Sequence, residues 1–91
     1  MSYSIIDPII KAWTQQHGLV LFTQYKDSEV RSVDVAGKGS QKFQIWIDTP
    51  KGDRVSVHAW DYKKRRQDWD ANFSNLNELL EEAIRTVRLW V

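Results

Sequence analysis

The fold turns on Phe43-Gln44-Ile45-Trp46-Ile47-Asp48, followed by Thr49-Pro50-Lys51-Gly52-Asp53, and then on Val55-Ser56-Val57-His58-Ala59-Trp60. Two runs of alternating character flank a segment rich in turn formers, which is the pattern of a β-hairpin. Successive side chains of a strand point to opposite faces, so Phe43, Ile45, Ile47, Val55, Val57 and Ala59 share one face. That face is apolar and is expected to bury. The other face carries Gln44, Trp46, Ser56, His58 and Trp60, with Tyr62 just beyond, and places aromatic rings where an exposed antiparallel sheet normally carries polar side chains.

Working outward from the hairpin, Gly37-Lys38-Gly39-Ser40 predicts a turn, with two glycines available for positive φ. Before it lie two β-rich runs, Leu19 to Lys26 and Val30 to Ala36, with Asp27-Ser28 as the turn between them. Further upstream, Asp7-Pro8 reads as a helix start and Ile6, Ile9, Ile10 and Trp13 recur at helical spacing, so a helix is expected over 8–17, stopped by Gly18. Downstream, Lys63 to Phe73 reads as a polar connection. Ser74 or Asn75 then caps a closing helix, in which Leu76, Leu79, Leu80, Ala83, Ile84, Val87 and Trp90 form an apolar stripe. The expectation is an α+β fold over 1–91: a helix, a four-stranded antiparallel meander and a C-terminal helix. A three-stranded sheet is the alternative if Asp27 to Glu29 form a bulge.

Ninety-one residues suit one domain. Thirteen basic residues against twelve acidic ones leave a net charge of +1, which excludes a globally basic protein. The absence of cysteine excludes disulfides, cysteine-based zinc sites and thiol catalysis, and makes the reducing cytoplasm the expected compartment. The longest apolar run, Leu19 to Phe22, is far too short for a membrane span, and Met1-Ser2-Tyr3-Ser4 lacks the basic start of a signal peptide. Against this ordinary background, five tryptophans are an unusual investment.

Two arrangements would account for the aromatic face. One terminal helix could pack on each side of the sheet to give three layers, or the face could serve as a partner surface, since Trp and Tyr are enriched at binding hot spots. A homodimer through this face would satisfy both. Trp46, His58, Trp60 and Tyr62 are therefore the expected partner-binding residues. Lys63, Lys64, Arg65 and Arg66 follow directly and would supply phosphate contacts beside stacked bases, which makes nucleic-acid binding the alternative. Asp61, Asp68 and Asp70 surround that run and reduce its local charge. The order of helix, strands and helix resembles the double-stranded RNA-binding domain. That family opens its last helix with lysines, whereas Asn75, Asn77 and Glu78 stand here, so its contact residues have no counterparts in this chain.

A catalytic reading rests on Asp48 and Asp61-x-Lys63, which resemble the acid pair and lysine of metal-dependent nucleases. Both acids flank turns, where Asp is favoured for local backbone hydrogen bonds. His17 and His58 have no second histidine at a ligand spacing, and Ser56 with His58 has no triad context. No metal, cofactor or catalytic residue is therefore assigned. The expected function is a small non-enzymatic binding or regulatory module, of the adaptor, inhibitor or immunity type, acting through protein contacts that include self-association.

Overall fold

In a computed structural model that describes residues 3–91, the elements are α1 (Asp7–His17), β1 (Leu21–Tyr25), β2 (Ser28–Ala36), β3 (Lys42–Ile47), β4 (Arg54–Trp60), β5 (Arg66–Asn72) and α2 (Leu76–Leu89). Met1 and Ser2, where the expected domain begins, lie outside the described residues. The strands form one antiparallel meander in sequence order. The central hairpin has the expected register, with Ile45 opposite Ala59, Ile47 opposite Val57, and Trp46 opposite His58.

The sheet has five strands where four were expected. The additional strand, Arg66-Gln67-Asp68-Trp69-Asp70-Ala71-Asn72, pairs with β4 along its whole length, from Trp60↔Arg66 to Arg54↔Asn72. Its inward positions are Gln67, Trp69 and Ala71, so it lacks the aliphatic alternation that identifies a half-buried strand. Charged outward positions at Arg66, Asp68 and Asp70 suit an edge, where they discourage pairing with another chain.

Both helices pack on the same face, and the sheet is covered on one side only. Ile10 and Trp13 of α1 and Leu76, Leu80, Ala83, Ile84 and Val87 of α2 join Val33, Val35, Phe43, Ile45, Ile47, Val55, Val57 and Ala59 in one buried cluster. The three-layer arrangement is thus not adopted. The apolar stripe of α2 and the aliphatic sheet face together bury enough surface for a domain of this size without using the aromatic face.

Polar contacts fix the position of α1. Asp7 is its first residue and not its N-cap, and its carboxylate accepts from Arg31 Nε at 2.7 Å and Nη2 at 3.0 Å. Arg31 lies on the inward face of β2, is 8% exposed, and stacks 4.4 Å over the Tyr3 ring. The paired guanidinium holds the Asp7 carboxyl below the ordinary carboxylate range. At its other end α1 stops at Gly18, whose φ of 65° closes the last turn as its position implies. There His17 Nε2 meets the Glu81 carboxylate of α2 at 2.9 Å and ties the two helices together. At the start of α2, Asn72 Oδ1 accepts from the Ser74 and Asn75 amides, so Asn72 organises the turn while Asn75 occupies the cap position.

In the β2–β3 turn only Gly39 takes a positive φ. Gly37 answers a different demand: a Cβ there would lie 2.8 Å from Gln41 Cβ and 2.9 Å from the Phe43 ring. Among the described residues no helix is long and apolar enough to cross a membrane.

Candidate functional site: the uncovered aromatic face

The uncovered face is a stacked array. Trp46 on β3 and His58 on β4 are cross-strand partners, with ring centroids 4.8 Å apart and planes at 22°. His58 is held in plane by carboxylates on both sides, with Nε2 2.7 Å from Asp48 Oδ2 and Nδ1 2.5 Å from Asp68 Oδ1. Each ring nitrogen thus faces a carboxylate oxygen. The contact with His58, aided by Arg66, holds the Asp68 carboxyl below the usual range. Arg66 donates to Asp68 at 3.1 Å and lies 5.4 Å over the Trp46 ring.

Trp60 faces Gln44 across the ladder and packs on Tyr62, with centroids 4.7 Å apart. Tyr62 reaches this face by a different route from the one the strand pattern implies. The strand ends at Trp60, and Tyr62 sits in the following loop with a φ of 65°. A bulky residue in the left-handed region costs on the order of 1–3 kcal/mol, and such strain concentrates at functional sites. Its hydroxyl donates to Asp34 Oδ1 on β2 at 2.6 Å. Burial, with this bond second, raises the Tyr62 phenol well above its usual pKa.

The four expected partner-binding residues therefore share one face. The four expected phosphate contacts do not. Arg66 reaches the aromatic array, where it is engaged by Asp68. Lys63, Lys64 and Arg65 form an exposed turn whose backbone is organised by Asp61, which accepts from the Lys63 and Arg65 amides at 2.8 and 3.0 Å. Desolvation, the largest single influence, pushes the Asp61 carboxyl up, but these amide bonds together outweigh it and hold the group below its ordinary value. Lys63 and Arg65 line a polar cleft with Lys42 and Trp90 at that end of the sheet.

The nuclease-like acids are also separated. The Asp48 amide donates to Ser56 O, five residues along β4 from Asp61, so the two acids stand about 16 Å apart at roughly 3.3 Å per residue. One is committed to His58 and the other to a turn. Among the described residues, no three or more His, Asp or Glu side chains converge to hold a metal ion.

The structure adds residues that the strand pattern did not mark. Phe22 and Tyr25 of β1 and Ser32 and Asp34 of β2 join Gln44, Trp46 and Tyr62 around a cleft of about 450 Å³ on this face. Phe22 is 46% and Tyr25 65% exposed. The signal was weak because β1 and β2 lie 10–40 residues from the aromatic positions and β1 is bulged between Phe22 and Gln24, which breaks simple alternation.

In charge the face is slightly acidic: Asp34, Asp48, Asp68 and Asp70 outnumber Lys42, Arg54 and Arg66 by one. No protein-family model, curated protein or solved structure matches the chain.

Proposed function

We propose that the chain is a protein-binding module that docks a partner on the uncovered face of its sheet, with Trp46, His58, Trp60 and Tyr62 at the centre of contact. The observation that carries this reading is the placement of both helices on the aliphatic side, which leaves the aromatic array outside the core. Large aromatic surfaces outside a core mark interfaces, and Trp and Tyr supply much contact area at little entropic expense. Nothing in this arrangement converges polar groups on a reacting atom, so the module is read as non-enzymatic. A second copy of the chain is one such partner.

Nucleic acid is the competing occupant, and the charge pattern favours it less. Four carboxylates stand on the face, and Arg66, the basic-run residue that reaches it, is already paired. The test is capture from a lysate of the source cells on immobilised wild-type chain and on a Trp46→Ala/Trp60→Ala variant, with sedimentation velocity for self-association. A protein or second copy retained by wild type and lost from the variant supports the reading. Identical retention by both, or face-dependent retention of nucleic acid alone, overturns it.

A further inference from the structure

The cleft beside β1 has a more specific character than the face as a whole. Phe22, Tyr25, Trp46 and Tyr62 supply aromatic walls, and Asp34 is the sole charged side chain in the lining. We infer that this cleft receives the guanidinium group of an arginine side chain presented by the protein partner, an assignment that rests on protein docking at the open face.

Charge complementarity comes first. The faces of aromatic rings attract cations, and a guanidinium stacks on them while donating in its plane to a carboxylate. Asp34 is fixed for that purpose by Tyr62, whose hydroxyl donates to one carboxylate oxygen at 2.6 Å. The other oxygen is approached by Lys42 only to 4.0 Å. Lys42 itself is not part of the lining and stands over the Tyr62 ring, beside the polar cleft.

Unused acceptors come second. Ser32 lines the cleft, is about nine-tenths buried at 9% exposure, and its hydroxyl has no hydrogen-bond partner among the described residues. The Gln44 side chain is likewise without one. A guanidinium carries five N–H donors, and Asp34, Ser32 and Gln44 present acceptors within one cleft. The lining holds a carboxylate and no cationic side chain, which disfavours a phosphate there. The chain itself shows the contact twice, with Arg66 over Trp46 at 5.4 Å and Arg31 over Tyr3 at 4.4 Å.

The experiment is a titration of the ¹⁵N-labelled chain with acetyl-Gly-Arg-Gly-amide and with its citrulline and lysine counterparts. It follows the Trp46 indole N–H and the Ser32, Asp34 and Tyr62 amides, with the buried Trp13 indole as reference. Saturable shifts at these positions are expected for arginine, with citrulline, its neutral isostere, weaker by about threefold or more. Asp34→Asn should erase the preference, and Phe22→Ala, which removes an exposed wall, should weaken arginine binding without disturbing the core resonances. Equal response to arginine and citrulline, lysine matching arginine, shifts centred elsewhere, or a preference retained in Asp34→Asn overturns the assignment. Capture of a partner that Asp34→Asn retains undiminished overturns the cleft and leaves protein binding standing. Arginine-selective shifts in a chain that retains no protein support the cleft and overturn protein binding.

Discussion

Ile45 and Trp46 are neighbours in sequence and opposites in environment, and truncating each to alanine measures how differently the two faces contribute to stability. Ile45 is 0% exposed and sits between Val33 and Ala59 in the sheet, beneath the helices. Ile45→Ala removes fully buried methyl groups and leaves a cavity that close-packed neighbours fill only in part, which costs about 2–5 kcal/mol. Trp46 lies outside that cluster. Its contacts are the His58 ring at 4.8 Å and the Arg66 guanidinium at 5.4 Å. An aromatic pair contributes about 0.5–1.5 kcal/mol and an exposed cation–π contact about 0.5–1 kcal/mol, so Trp46→Ala should cost about 1–2.5 kcal/mol despite the larger side chain. Total stability for a chain of this length is roughly 5–14 kcal/mol, so both variants should fold well enough for measurement. Urea titration at two protein concentrations gives both values, with the slope expected to stay constant while the midpoint shifts. Equal losses for the two variants, independent of protein concentration, would refute the reasoning, because the tryptophan would then be packed within the monomer.

Asp7→Ala should destabilise the fold by about 2 kcal/mol, since it strips the nearly buried Arg31 guanidinium of its two-point carboxylate and leaves it the longer Glu29 contact at 3.6 Å and backbone carbonyls, and thermal denaturation reads the loss. The same pair sets an acid limit. The folded Asp7 carboxyl lies below its ordinary 3.8, so its contribution is complete above that value and is lost as pH falls through the folded value. Acid titration of Asp7→Asn should show a smaller decline below about pH 4 than wild type. Gly37→Ala should cost about 1–3 kcal/mol because the new Cβ presses on Gln41 and Phe43, and a melting temperature equal to wild type would contradict that close approach. Mg²⁺ should leave the melting temperature unchanged in wild type and in Asp61→Ala alike, because Asp48 and Asp61 stand at opposite ends of the hairpin.

The elements legible in the sequence were those whose periodicity matched their burial. Ile45, Ile47, Val55 and Val57 alternate, and α2 carries an unbroken apolar stripe, so hairpin and helix could be read directly. The fifth strand was hidden because an edge strand needs little apolar surface: Trp69 and Ala71 suffice inside, and the remaining positions are polar. Which face the helices choose was also not written locally. It follows from the fit of two apolar helix stripes onto the aliphatic side and from the Asp7–Arg31 pair, which joins residues 24 apart. The shared face of Trp46, His58, Trp60 and Tyr62 was legible, although Tyr62 arrives through a left-handed turn and not through strand alternation. Asp34, Phe22 and Tyr25 were not marked as site residues, because bringing them to the array requires the register of three strands and a bulge in the first.

The most direct test of docking on the open face is site-specific photocrosslinking in the source cells, with p-benzoylphenylalanine replacing Trp60 in one variant and Arg85 in another. Trp60 lies in the aromatic array, whereas Arg85 projects from α2 on the opposite side of the molecule, where it pairs with Glu82. A discrete crosslinked protein, a second copy included, is predicted from position 60 and none from position 85. No protein crosslink at position 60, or equal crosslinking from both positions, would contradict the account.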